Sequence, residues 1–217
     1  MNTVKLLLIC SILALSATFA MGQEREITEE TYWAAIRTAD SFQWKTPVRI
    51  TQYDEHYESG VIEEKGEIIT ERLPPDRLRV VERKEKSGKV EIKESINVAG
   101  KFYCKEKRSW KRSNSSCAPS TMSVFDSDAK TRFSVSDEKV DGYPVLVYRL
   151  QIKESPRPTN TKRFPDIFEY ITWVDSNGRM IRQDRFSSIS SSGEKVFYRK
   201  EVFEYNPKGL KIFAPIK

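Results

Sequence analysis

Lys89-Val90-Glu91-Ile92-Lys93-Glu94-Ser95-Ile96-Asn97-Val98 alternates in residue type along its length, and Ala99-Gly100 follows at once. Val90, Ile92, Ile96 and Val98 share one side of an extended chain, with Lys89, Glu91, Lys93, Ser95 and Asn97 on the other. A period of two predicts a strand with one buried face. Working outward, Leu146, Tyr148, Leu150 and Ile152 repeat the pattern, and Ile167 to Val174 and Val196 to Tyr205 are rich in aromatic and β-branched residues. Ser87-Gly88, Ala99-Gly100, Asp141-Gly142, Asn177-Gly178 and Ser192-Gly193 are turn signals between such runs. The count is about nine or ten strands, mostly in hairpin order.

Before Pro47 the period is that of a helix, predicted over Glu24 to Phe42. Thr28 is placed to cap it, Glu29 and Glu30 suit the positive end of the dipole, and Ile27 and Tyr32 are spaced as a hydrophobic staple. Tyr32, Ile36 and Ala39 recur at helical spacing, with Trp33 and Phe42 beside them. Glu154 to Asp166, with Pro156, Pro158 and Pro165, reads as a loop, and residues 118–130 as a short helix or lid.

Residues 1–22 read as a signal peptide. Lys5 supplies a positive start, Leu6 to Ala20 carries no charge, and cleavage fits after Ala20 or Gly22. The apolar run is shorter than the roughly 20 residues a spanning helix needs, and Cys10 lies mid-run, where no lipid would be attached. No boundary or repeat divides residues 23–217, which are expected to form a single periplasmic or secreted domain. In an oxidising compartment Cys104 and Cys117 are expected to bond, with two free thiols as the alternative.

The net charge of +6 is too modest for a dedicated nucleic-acid binder, and 31% charged against 38% hydrophobic residues suits strands with one wet face. One long helix cannot cover the apolar face of so large a sheet. The sheet must curl, pair with another sheet, or leave a cavity, and a curled sheet around a helix is a natural container for a hydrophobic ligand.

Catalytic parts are scarce, and the chain is not expected to be an enzyme. His56 is the sole histidine, and no Gly-x-Ser-x-Gly elbow, Gly-rich phosphate loop or Cys-x-x-Cys pair is present. No cofactor is implied. The best metal candidate is weak: in an extended chain Asp54, His56 and Glu58 project from one face. Lys101, Lys105, Lys107, Arg108, Lys111 and Arg112, interleaved with Phe102, Tyr103 and Trp110, have the composition of an anionic contact surface. The competing reading is a solvated hairpin with its aromatics packed inward.

Taken in order, several motifs resemble the bacterial outer-membrane lipoprotein carrier superfamily, the LolA-like and LppX-like proteins. Leu73-Pro74-Pro75-Asp76-Arg77-Leu78-Arg79 resembles the family's Pro-x-Arg-x-Arg strand opening, and Asn97-Val98-Ala99-Gly100-Lys101-Phe102-Tyr103 with Trp110 resembles its glycine, aromatic pair and tryptophan hairpin. Asp141-Gly142-Tyr143-Pro144-Val145, Trp173-Val174-Asp175-Ser176-Asn177-Gly178 and the stretch from Tyr205 to Pro215 resemble its central turn, its strand ending in Asp and its closing strand. The resemblance implies an α+β fold: a curved, incomplete antiparallel β-barrel wrapping one long helix and a lid. It also implies carriage of a lipid, acyl chain or other hydrophobic ligand.

Trp33, Ile36, Leu146, Tyr148, Leu150, Trp173 and Phe203 are the candidates for lining such a cavity, with ordinary core packing as the competing role. The alternative function is an envelope-associated scaffold that keeps the fold without the cavity. It would use the basic hairpin against an anionic lipid headgroup or an envelope protein.

Overall fold

The computed structural model describes residues 23–114, 129–154, 165–189 and 191–215. The helix α1 runs over Glu29–Lys45. The Thr28 side chain accepts from the Thr31 backbone N–H at 3.2 Å, and the Thr46 N–H closes the other end on the Phe42 carbonyl. The cap is the one expected, but the helix starts later than Glu24, because Arg25–Glu26 form a short strand, β1, beside β8.

The strands after it are β2 (Val48–Glu58), β3 (Val61–Leu73), β4 (Arg77–Lys86), β5 (Lys89–Val98), β6 (Lys101–Glu106) and β7 (Ser109–Ser113). Then come β8 (Lys130–Val140), β9 (Tyr143–Lys153), β10 (Ile167–Asp175), β11 (Met180–Ile189) and β12 (Glu194–Tyr205). Among the described residues they form one antiparallel sheet of 12 strands, more than the nine or ten expected, in the order β1-β8-β9-β10-β11-β12-β2-β3-β4-β5-β6-β7, which does not close and has β1 and β7 at its edges. Two meanders, β2–β7 and β8–β12, are joined where β12 pairs with β2. Tight turns drive both meanders: Ser87–Gly88 and Asp141–Gly142 take positive φ at both residues, which matches the twist of two-residue hairpins.

Strand alternation and the pairing register define two faces. The inner face carries α1: Tyr32 packs with Leu150 and Ile152, and Ala39 with Val48, Val174, Met180 and Phe203. Ile27 joins the same cluster as Tyr32, as a staple would. The outer face is covered at the other end of the sheet. There Leu210 and Ile212, beyond β12, pack on Leu73, Ile96, Val98, Tyr103 and Trp110, and the Arg77 guanidinium donates to the Ile212 carbonyl at 3.3 Å. A single apolar face was expected; the sheet instead buries apolar side chains on both faces, on the inner face under α1 and, on the outer face, at Val147 of β9 and under Leu210 and Ile212 at the other end. On β5 only Ile96 is buried by this cover, while Val90 and Ile92 are 50% and 66% exposed.

Between these clusters the outer face carries a ladder of alternating charge across β12, β2, β3, β4, β5 and β6. Glu204 meets Arg49 at 3.1 Å, Arg49 meets Glu71 at 2.9 Å, and Glu71 meets Arg79 at 2.9 Å. Arg79 meets Glu94 at 2.9 Å, and Glu94 meets Lys105 at 2.7 Å. Burial alone would raise the Glu71 carboxyl, but hydrogen bonds from Arg79 and Arg49 outweigh it and hold it below its ordinary value. Glu94 is lowered in the same way, against burial, by Lys105 and Arg79.

The expected signal peptide, the residues 118–128 of the proposed lid and Cys117 lie outside the described residues. The Cys104–Cys117 pairing therefore lies outside them too. Among the described residues no helix is long and apolar enough to cross a membrane.

Candidate functional site

The inner face is not filled to its edge. Tyr32 and Ile36 of α1 pack into the core with Ala39 on the same flank, whereas the neighbouring flank presents only the small residues Ala34, Ala35 and Thr38. Beneath these small residues an open cleft of about 510 Å³ extends over the turn ends of β8–β11. Pro144, Val145, Leu146, Tyr148 and Val174 give it an apolar floor, and Asp137, Glu138, Asp175, Ser176 and Gly178 form the rest of its lining.

The carboxylates of the cleft are already engaged. Asp137 pairs with Arg25 at 3.1 Å and Glu138 with Arg149 at 2.6 Å. Asp175 accepts from the backbone N–H groups of Asn177 and Arg179 at 2.9 Å each, and its other oxygen accepts from the Arg179 guanidinium. Burial would raise the Asp175 carboxyl, and these bonds bring it below its ordinary value instead. Burial raises the Tyr148 hydroxyl, leaving it a neutral donor at the cleft floor. The site therefore offers apolar surface, the Tyr148 hydroxyl and three carboxylates that each already have a partner.

Of the candidates from the sequence, Leu146 and Tyr148 line this cleft. Ile36, Leu150 and Phe203 belong to the packed core beside it. Trp33 lies at the surface of α1, edge-on to Tyr32, and donates its indole N–H to Glu29 at 3.2 Å. Trp173 is paired with Val147 in register and so projects from the outer face, where the Arg182 guanidinium stacks 4.5 Å from its ring. The sequence reading missed Ala34, Ala35 and Thr38. Their signal was a row of small residues at helical spacing next to an apolar stripe, which by itself says nothing about what lies opposite.

The metal candidate does not assemble. Both oxygens of Asp54 accept from the Arg199 guanidinium, at 2.8 and 3.0 Å. His56 lies against the Phe197 ring, 4.9 Å between centroids. A register shift between His56 and Tyr57 breaks the alternation that would have aligned Glu58 with them. Among the described residues no three His, Cys, Asp or Glu side chains come together as a metal site.

The basic hairpin is β6–β7, and its cations do not share one face. Lys101, Lys105 and Arg112 project on the outer side with Tyr103 and Trp110, Lys111 projects on the inner side, and Lys107–Arg108 form the turn. Lys105 is bound to Glu94 with its ammonium 5.6 Å from the Trp110 ring, and Lys111 is paired with Glu106.

No protein-family signature and no curated protein sequence matches this chain. Among solved structures, its fold is similar to LprF from Mycobacterium bovis, with a TM-score of 0.46 and 10% identity over 89% of this chain and 100% of that one. It is similar to a LolA superfamily protein from Nitrosomonas europaea, with a TM-score of 0.29 and 9% identity over 80% of this chain and 91% of that one. It is also similar to the lipoprotein LppX of Mycobacterium tuberculosis, with a TM-score of 0.48 and 11% identity over 86% of this chain and 100% of that one.

Proposed function

We propose that this chain is an extracytoplasmic binding or carrier protein that holds a lipid, an acyl chain or another hydrophobic ligand in the cleft beneath α1. The cleft itself carries the reading: about 510 Å³ of open space under Ala34 and Ala35, floored by Leu146, Tyr148 and Val174. Ligand sites commonly measure about 300–1,000 Å³ and are mostly apolar with a few polar groups. Because Asp137, Glu138 and Asp175 are all paired, an ion at the ligand's end would find no counter-charge inside. The apolar part of the ligand enters and its polar end stays at the mouth. Export rests on the reading of residues 1–22, and the resemblance of the ordered motifs implies the same ligand class.

The test begins with the protein isolated from its native envelope, followed by native mass spectrometry and analysis of an organic extract. A co-purifying lipid of defined mass is expected, as is saturable uptake of a fluorescent fatty acid by the emptied protein. Ala35→Trp fills the cleft from the half-buried flank of the helix and is expected to reduce that uptake by about tenfold or more, a loss of about 1.4 kcal/mol. Uptake unchanged in this variant would move the ligand elsewhere. An empty protein that takes up no fatty acid would end the carrier reading.

A further inference from the structure

The sheet has a step in its margin. β5 pairs with β4 along its whole length, from Lys89 opposite Lys86 to Val98 opposite Arg77. On its other side it pairs with β6 only from Glu94 to Val98. Lys89–Lys93 therefore has a strand edge with no partner among the described residues. The β6–β7 turn, Lys107–Arg108, closes one end of this notch, and the β4–β5 turn, Ser87–Gly88, ends the other. The open edge is roughly 14 Å long at the usual rise per residue.

Both chemistry and length are defined there. Val90 and Ile92 stand on the outer face, 50% and 66% exposed, separated by Glu94 from the covered pair Ile96 and Val98. Lys89 and Lys93 stand on the inner face with Glu91 between them, and Glu91 is bound to Lys93 at 3.3 Å. Lys89 at one end, and Lys107 and Arg108 at the other, have no carboxylate partner among the described residues.

An unpaired edge invites strand addition, and lysines on it select what can be added. A second copy of this chain is a poor occupant. The antiparallel register that pairs all five residues sets Lys89 against Lys93 and Glu91 against Glu91, a parallel one sets each charge against its own kind, and like charges directly opposite destabilise a ladder. Shifting the register by two shortens the ladder, because β6 already occupies the edge from Glu94 onward.

We infer that the β5 notch is a docking site for an extended acidic segment of another protein, which adds as a strand beside Lys89–Lys93. Its apolar residues lie beside Val90 and Ile92 on the outer face. Its carboxylates meet Lys89, Lys93 and the Lys107–Arg108 turn. This inference stands apart from the cleft, which lies on the inner face under α1.

The probe is the blocked peptide Glu-Ile-Thr-Val-Asp, titrated against the whole protein. Saturable binding is expected, with slowed amide exchange confined to residues 89–93 and their neighbours in the β6–β7 turn. Ile92→Lys, and separately the pair Lys107→Glu with Arg108→Glu, are each expected to weaken binding about tenfold. All three positions are at the surface, and an unchanged circular dichroism spectrum confirms that the variants fold. A peptide of the same sequence with N-methylated backbone amides cannot form the ladder and is expected not to bind. Equal binding by the methylated peptide, protection elsewhere in the sheet, or full affinity in both variants would overturn the inference. So would displacement of the peptide by phosphatidylglycerol vesicles with no protection at 89–93, which would identify an anionic lipid surface instead.

Discussion

The two ends of the sheet solve the same problem differently. At the β8–β12 end a capped helix lays Tyr32, Ile36 and Ala39 on the inner face, against Leu150, Val174 and Phe203. At the β4–β7 end the cover is a short irregular segment, contributing Leu210 and Ile212 to the outer face. Beside that thin cover runs the ladder from Glu204 to Lys105, with Glu71 buried between two arginines. Apolar burial dominates where a regular element is available to supply it. Where it is not, cross-strand charge pairs tie the strands together. The charged residues, 31% of the chain, are thus concentrated where the apolar cover is smallest.

The largest test of that contrast is Phe203→Ala. It removes an aromatic side chain from beneath the helix and is expected to cost about 3–5 kcal/mol in urea denaturation. Ile212→Ala is expected to cost about 2–3 kcal/mol, since Ile212 is 1% exposed but held by a short segment that can settle. Amide exchange should then rise in β5–β7 and stay low in β9–β11; an equal rise in both would make the two ends a single cooperative unit. Glu71→Gln leaves Arg49 and Arg79 facing a neutral group. It is expected to cost about 2 kcal/mol, below the figure for a fully buried pair because both arginines are about a third exposed.

Acid sharpens the same point. Glu71 and Glu94 are held below their ordinary value of 4.5, so their contribution is complete above that pH and disappears as pH falls through the lowered values. A denaturation series from pH 6 to about pH 3 should show this loss, and Glu71→Gln should lose less over the same range. An identical acid profile in the variant would remove Glu71 from the explanation.

Local patterns were legible in the sequence; partnerships across the sheet were not. The alternation in Lys89–Val98, the Thr28 cap and the Asp141-Gly142 turn each depend on neighbours a few residues away, and each is present. By contrast Arg49 and Glu204 are 155 residues apart, and nothing near either one announces the other. The register shift at His56 is equally silent, and it removes the alignment on which the weak metal candidate rested. In the candidate site, Leu146 and Tyr148 follow from their strand's period. The space above them arises from Ala34 and Ala35, whose effect depends on where the helix is laid. Trp173 projects from the outer face, away from the cleft: its period is clear in the sequence, but which face the helix covers is a tertiary fact.

The position of β12 bears on time as well as space. It is the last strand among the described residues, yet it lies between β11 and β2, where it pairs Phe203 with Ile50. A chain emerging amino end first can build the β2–β7 meander early, but that meander waits with β2 as an open margin until residues 194–205 are released. Long-range pairings of this kind are slow to form, and unpaired margins attract other chains meanwhile. The half-finished chain therefore presents an open sheet margin at β2, and it is the arrival of β12 that covers it.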